Sequence, residues 1–326
     1  MASLCTIPPE LRIEILSRLP DLRSLAAAIF TSRTIHEAFT IARNDVMQRV
    51  LDAEIPLSSI TGELELLLPQ DCVAALQDRS SSVRGKALDM LCIYQGFVSA
   101  YCRRFCAETL PQLPSEARSP ASPSERLLIQ RAVYRFWALS RATTAFRSKS
   151  PSVTEDLSFA KTYMLRYSLW EVAELAIICR YIHQKLDRLC FLHGSLVTDE
   201  YIRNTANQLT VTSLALLDLP TLYSVLFSPQ TTTGIFERYL KQPSCYRIWS
   251  NLFTADRMNR RHDRTAFPPR CICKRRDMPS YEYDQYLRYI TCTVVGVEFD
   301  QDEVRNDLAL WDDSRLERLG LFPPVE

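Results

Sequence analysis

A set of possible metal ligands lies in the last third of the chain. Cys271 and Cys273 are separated by one residue, His262 precedes them, and Cys245 and Cys292 lie on either side. Zn²⁺ takes four thiolate or imidazole ligands in a tetrahedron, and structural zinc sites usually draw them from two closely spaced pairs. Only one close pair is present here. We therefore interpret these cysteines as reduced thiols, with Cys271, Cys273 and His262 as the candidates for a metal site.

The same part of the chain carries a strong positive charge. Residues 257–276 hold eight Lys or Arg and one Asp, a density that could neutralise the phosphates of a nucleic acid. Residues 298–326 hold nine Asp or Glu and three Arg. Because the two segments are close in sequence and nearly opposite in charge, we expect them to pair with each other or to be solvated. Recognition of an acidic partner and binding of nucleic acid are the alternatives.

Side chains that could catalyse a reaction are few. The chain has four histidines, and none stands in a metalloprotease, nucleophile-elbow, P-loop or dinucleotide-binding motif. His183 lies on an amphipathic helix pattern, where a structural histidine is commoner than a catalytic one. Asp312 and Asp313 could form a carboxylate pair, but adjacent helix residues point in different directions. The sequence thus predicts a protein that is not an enzyme and has no cofactor.

Composition defines the class of protein that positions these residues. The 326 residues are 47% hydrophobic and 24% charged with a net charge of +1, which is typical of a globular protein with a buried core. Glycine is scarce, with 7 residues, which argues against a phosphate-binding loop and a turn-rich β fold. Eleven cysteines, no signal-peptide pattern and only short apolar runs predict an intracellular protein of the cytoplasm or nucleus, without a membrane span.

Apolar residues recur at helical spacing in the N-terminal segment. The pattern predicts three short helices: one opened by Pro8, a second capped by Asp21, and a third from Thr34 to about Val50. Three helices joined so tightly cannot bury all their apolar faces on one another. The surplus apolar surface predicts a binding partner.

A larger, irregular helical domain with little or no β structure is expected from residue 56 to the end. Helices are predicted at about 58–68, 71–78, 83–108, 125–146, 167–192, 204–217, 221–227, 234–242 and 302–319, and a short strand is possible at 289–297. The helix at 167–192 is apolar nearly all round in its first half, which predicts a central, buried position.

Residues 111–124 are rich in proline and serine and lack an apolar period. They are therefore predicted to form an exposed, flexible loop. This stretch contains the steps Ser119-Pro120 and Ser122-Pro123, which are possible targets of a proline-directed kinase. Ordinary solvated loop residues would give the same pattern.

The N-terminal segment resembles the F-box family. The match begins with the Ile-Pro-x-Glu-Leu start, continues with apolar positions at helical spacing, and ends with a Ser-Arg step before the last helix. The matching residues are Ile7, Pro8, Glu10, Leu11, Ile15, Leu16, Leu19, Asp21, Leu22, Leu25, Ser32, Arg33, Ile35 and Phe39. Residues 310–321 are similar to an ending that recurs in filamentous-fungal F-box-like proteins, which implies no chemistry.

The resemblance implies a substrate-recognition subunit of an SCF-type (Skp–cullin–F-box) ubiquitin ligase. Residues 1–55 would bind the Skp-type adaptor and, through it, the cullin ligase core. Residues 56–326 would bind a target protein, which the sequence does not identify. The residues implied to contact the adaptor are Ile7, Pro8, Leu11, Ile15, Leu22 and Leu25.

Two other functions remain open at the level of sequence. The N-terminal helices could pack on the protein's own core, which would make the chain a non-enzymatic scaffold or interaction protein. Alternatively, the Cys- and Arg-rich segment 245–292 could bind a metal or a nucleic acid. The near-neutral charge balance does not favour nucleic acid as a partner.

Overall fold

The structure is a computed structural model, and it describes residues 7–78, 82–147, 163, 166–193, 217–227 and 310–319. These residues are 81% helical, with eleven α-helices and no strand among them, which confirms the all-α class. None of the helices in the described ranges is long and apolar enough to cross a bilayer. The predicted helices at 204–217 and 234–242, and the possible strand at 289–297, lie outside the described residues.

The helices are numbered in chain order. They are α1 Pro9–Ser17, α2 Leu22–Ile29, α3 Arg33–Ile41, α4 Arg43–Glu54, α5 Thr61–Leu67, α6 Gln70–Gln77, α7 Arg84–Thr109, α8 Pro123–Arg147, α9 Leu169–His193, α10 Leu219–Phe227 and α11 Asp313–Arg318. Short 3₁₀ turns occur at Leu57–Ser59, Leu110–Gln112 and Ser115–Ala117. The chain forms two compact units, Met1–Arg103 and Arg104–Glu326.

The first helices begin where local chemistry favours a helix start. Pro9 occupies the first position of α1, where its missing N–H is not needed. The Asp21 carboxylate accepts a hydrogen bond from the Ser24 N–H at 2.7 Å, as predicted for the cap of α2. The cap of α3 is Ser32, whose hydroxyl accepts from the Ile35 N–H at 3.3 Å. The helix α3 therefore begins at Arg33, one residue before the predicted start at Thr34.

The third predicted helix is in fact two helices, α3 and α4. Ala42 separates them with φ −121° and ψ 28°, outside helical geometry, and its N–H donates to the Phe39 carbonyl at 3.2 Å. No proline or glycine stands at the break, so the sequence carries no local signal for it. The break allows Ile35 of α3 and Val46 of α4 to reach one core from helices of different direction.

The first four helices enclose a small apolar core. Its buried residues are Leu16, Leu25, Ile35, Val46 and Val50, each at most 5% exposed. All four helices contribute to it, and partly buried residues such as Ile13 and Phe39 pack around it. Farther along, Leu51, Ile55 and Ile60 are fully buried. The Met1–Arg103 unit therefore continues its core beyond α4.

In the second unit, α8 and α9 pack against each other. Residues 132–140 of α8 are all buried, including Trp137 and Arg135. On α9, Val172, Leu175 and Ile178 are buried, as predicted for a central helix. The prediction missed that α8 is buried equally deeply, because Arg135 and Ser140 interrupt its apolar pattern.

Most residues of the stretch 111–124 are exposed, as its composition predicts, but the stretch also has regular structure. It contains most of one 3₁₀ turn and the whole of another, and Leu113 and Ala117 are buried. The Arg315 guanidinium, from α11, donates to the carbonyls of Ala117, Ser119 and Pro120. These contacts satisfy backbone groups that proline-rich sequence cannot pair with itself, which explains the regular structure.

Candidate functional site

An apolar stripe on α1 is the surface of interest in the first unit. Leu11 is 55% exposed and Ile15 is 43% exposed. Residues four apart lie on the same face of a helix, so the two side chains are adjacent. Large aliphatic side chains left on one face are typical of a protein-binding surface when they form part of a continuous patch.

The six residues implied to contact an adaptor fall into three groups. Pro8 is exposed like Leu11 and Ile15, so three of them lie on the outside of α1 and the turn before it. Ile7 and Leu22 are partly buried, and Leu22 packs against the core. Leu25 is only 4% exposed. Its side chain supports the helix packing and is not available to a partner.

Hydrogen bonds hold the start of α1 in place. The Arg12 guanidinium donates from Nε to the Ile7 carbonyl at 2.7 Å and from Nη1 to the Thr34 carbonyl at 2.9 Å. It thus connects the residues before α1 with the start of α3. Because this connection fixes the backbone on both sides of Pro8, the apolar stripe is presented by a rigid element.

The start of α2 is anchored by a carboxylate from α4. Glu54 Oε2 accepts a hydrogen bond from the Leu22 N–H at 2.9 Å, and its Oε1 accepts from Gln95 Nε2 at 2.9 Å. Ser99 donates to the same oxygen. Glu54 therefore links the α1–α4 helices to α7 within the first unit.

Charged side chains border the stripe. Glu14 lies beside Leu11 and Ile15 in sequence and pairs with Arg18 at 2.8 Å and with Arg49 at 3.1 Å. Exposed ion pairs of this kind contribute about 0.2–1 kcal/mol at most to stability. An apolar centre with a polar edge is the composition of protein–protein interfaces.

The second unit contains a cavity of about 370 Å³ between the end of α7 and α9. Phe105 and Ile177 form apolar parts of its lining, and Arg180, Lys185 and Arg188 contribute positive charge. The volume falls within the range of small-molecule sites. The lining could hold an anionic group attached to a small apolar body.

Glu108 is the acidic residue of this cavity lining. Its Oε2 lies 2.6 Å from Lys185 Nζ and accepts a hydrogen bond from the Tyr181 hydroxyl at 3.0 Å. Burial, together with the neighbouring Glu108 charge, raises the pKa of Tyr181. The phenol therefore stays protonated and acts as a hydrogen-bond donor. No sequence motif marks these residues, because Glu108 and Lys185 are 77 positions apart.

Two deeply buried ion pairs lie elsewhere in the second unit. Arg135 donates to Glu174 at 2.6 Å and also contacts Glu171. Burial raises the pKa of Glu174, although the Arg135 charge acts in the opposite direction. Arg315 donates to both carboxylate oxygens of Glu125 at 2.7 and 2.8 Å. Each arginine also contacts an aromatic ring, which is typical of structural arginines.

Of the residues considered for catalysis, the structure describes His183 and Asp312, and both have structural roles. Burial lowers the pKa of His183 to about 4, so its imidazole is neutral near pH 7. Asp312 caps α11 by accepting a hydrogen bond from the Arg315 N–H at 3.1 Å. The metal candidates Cys271, Cys273 and His262 lie outside the described residues. Within the described ranges no three His, Cys, Asp or Glu residues are grouped as metal ligands.

Comparison with known proteins identifies no relative. No family model, no curated protein and no solved structure matches the chain.

Proposed function

We propose that this protein is a substrate-recognition subunit of an SCF-type ubiquitin ligase. In this proposal the α1–α4 helices bind a Skp-type adaptor, and the remainder of the chain binds a target protein. The observation that carries it is the stripe of Leu11 and Ile15, exposed on α1 at positions where the resemblance to the F-box family implies adaptor contacts. Both side chains are exposed although the core beneath them is complete.

The mechanism in this proposal is tethering. Binding both the adaptor and the target raises the effective concentration of the target near the charged ubiquitin carrier. Proton transfer and acyl transfer then take place on other subunits of the ligase. No side chain of this chain needs to react, and the protein itself is not an enzyme in this proposal.

Exposure of Leu11 and Ile15 also bears on the scaffold alternative. If the N-terminal helices covered themselves with the protein's own core, these two side chains would be expected to be buried. Their exposure supports the docking proposal, but α4 is bonded to α7 through Glu54, so the scaffold alternative remains a prediction. The metal or nucleic-acid alternative concerns residues 245–292, none of which the structure describes, and it remains a prediction.

The test is co-purification with a Skp-type adaptor from a filamentous fungus. The double variant Leu11→Asp and Ile15→Asp places two charges in the stripe, where desolvation of a carboxylate opposes binding. We expect the wild type to retain the adaptor and the double variant to bind it with an affinity at least about tenfold lower. A loss of about 1.4 kcal/mol in binding free energy suffices for that change. Circular dichroism should be unchanged because both positions are exposed.

A matched control is the double variant Ile41→Asp and Ile93→Asp. These isoleucines are 73% and 59% exposed in the same unit but lie outside the residues implied to contact the adaptor. The control should bind as the wild type does. Failure of the wild-type protein to retain the adaptor, or equal binding by both double variants, would refute the proposal.

A further inference from the structure

We propose that Ser119 is a phosphorylation site. Its phosphate would pair with Arg318 and so stabilise the contact between α11 and the segment 115–125. The modification is the transfer of the γ-phosphoryl group of ATP by a proline-directed Ser/Thr kinase. A bond forms between Ser119 Oγ and phosphorus, the bond to the ADP oxygen breaks, and the hydroxyl proton is released. The inference is independent of the proposed ligase function.

The surroundings of Ser119 fit a substrate that a kinase can reach. Residues 118–122 have no helical structure, Arg118 and Pro120 are exposed, and Ser119 itself is partly exposed. Pro120 supplies the residue after the serine that a proline-directed kinase requires. Arg315 binds the Ser119 and Pro120 carbonyls at 3.0 and 3.1 Å, so the backbone is held from its buried side.

Positive charge is already in place for a phosphate. Arg318 Nη1 donates to Ser119 Oγ at 2.8 Å, and this arginine is exposed on the last turn of α11. A phosphate carries about −1.5 to −2 charges at neutral pH and three acceptor oxygens. It would replace a neutral hydrogen bond by a charge-assisted one, for which the planar guanidinium is well suited.

The second serine-proline step, at Ser122, has the opposite surroundings. Ser122 caps α8: its Oγ accepts from the Glu125 N–H at 3.1 Å, and its N–H donates to the Glu125 carboxylate at 2.8 Å. Burial acts to raise the pKa of Asp312, but hydrogen bonds, that from Ser122 foremost, outweigh it and lower this pKa. A phosphate on Ser122 would lie beside the carboxylates of Glu125 and Asp312, so like charges would oppose the favourable effect of the α8 N-terminus. Two serines three positions apart thus differ in the sign of their neighbours.

The experiment uses the full-length protein, incubated with a proline-directed kinase and ATP. Mass spectrometry then locates the phosphate, and amide hydrogen exchange measures the protection of residues 313–319. We expect phosphate on Ser119 in preference to Ser122. Exchange over 313–319 should slow by about two- to fivefold, the range of an exposed ion pair.

Two variants separate the phosphorylation of Ser119 from the protection of α11 that should follow it. Ser119→Ala should accept no phosphate at this position and show no change in exchange on kinase treatment. Arg318→Gln should still be phosphorylated but lose the added protection. The proposal is overturned if the phosphate is on Ser122 alone, if neither serine is modified, or if phosphorylated wild type exchanges as fast as the untreated protein.

Discussion

At the scale of single residues, burial determines what the titratable groups can do. His183 has a pKa of about 4 because burial disfavours its charged form, and the thiol of Cys92 has a pKa raised to about 12 for the same principal reason. Near pH 7 the His183 imidazole is neutral and only weakly basic, and the Cys92 thiol is protonated and therefore a poor nucleophile. Both residues therefore have a structural position, in keeping with the tethering mechanism proposed above.

His183 makes stability depend on pH. Its pKa is about 4 in the folded protein against 6.5 in the unfolded chain, so the unfolded state binds more protons between these values. The contribution is complete above pH 6.5 and is lost as the pH falls toward 4. Between pH 7 and pH 5 we expect the free energy of unfolding to fall by about 1–2 kcal/mol from this residue.

The measurement is urea unfolding at pH 7 and pH 5 for the wild type and for His183→Gln. Glutamine cannot take up a proton, so the variant should lose less stability on acidification than the wild type. The comparison cancels the titration of other groups, such as Glu174, whose pKa is raised. An equal loss in both proteins would show that His183 does not titrate as described.

At the scale of elements, one short helix depends on one buried arginine. The six residues of α11 are too few to be stable alone, so their order must come from contacts. Arg315 supplies them through the paired hydrogen bonds to Glu125 and the three carbonyls of the segment 115–125. The side chains of Arg315 and Glu125 are each at most 1% exposed.

Removing one partner of this pair should be costly. Arg315→Met leaves the buried Glu125 carboxylate without its charged partner, and we expect the free energy of unfolding to fall by about 3 kcal/mol. Adding Glu125→Gln should recover part of that loss, because the remaining group is neutral. Arg318→Met, the same change at an exposed position of α11, should cost less than about 1 kcal/mol.

Urea unfolding of the three variants gives these values, and hydrogen exchange over 313–319 reports whether α11 is released. Similar losses for Arg315→Met and Arg318→Met would contradict the assignment of α11 to the buried pair. A double variant as unstable as Arg315→Met would show that hydrogen bonds to the carbonyls, and not the ion pair, dominate.

At the scale of the whole molecule, the first compact unit, Met1–Arg103, includes the predicted adaptor-binding residues 1–55 together with α5, α6 and most of α7. The predicted limit at residue 56 follows the end of α4, but buried residues continue through Ile60 and Leu88. Glu54 also bonds to Gln95 on α7. We therefore expect the first four helices to need α5–α7 for full stability.

Two fragments test this expectation. Residues 1–109, which keep α7 whole, should give a helical spectrum and a cooperative thermal transition. Residues 1–55 lack Gln95 and Ser99, two of the three hydrogen-bond donors to Glu54. They should melt at a lower temperature or with no cooperative transition. Equal melting temperatures for the two fragments would show that residues 1–55 fold as a unit without α5–α7.

The helical class and the approximate position of most described helices can be predicted from local sequence patterns. Apolar spacing and capping residues are local, so α2, α6, α7 and α9 could be predicted within a few residues. The burial of α9 followed from apolar residues on all its faces. The resemblance also singled out Leu11 and Ile15, which remain exposed, but it could not separate them from the buried Leu25, since all three are leucine or isoleucine at helical spacing.

The remaining features of the fold depend on tertiary contacts. The break at Ala42 arises because α3 and α4 must both reach one core, and no residue type marks it. The order of residues 111–124 depends on Arg315, nearly two hundred positions away, whose guanidinium satisfies carbonyls that the proline-rich backbone cannot. Likewise, folding alone brings Arg318 to Ser119, whereas the Ser122 and Glu125 pair has the local spacing of a helix cap. Long-range packing and electrostatics of this kind have no signature in the spacing of residues.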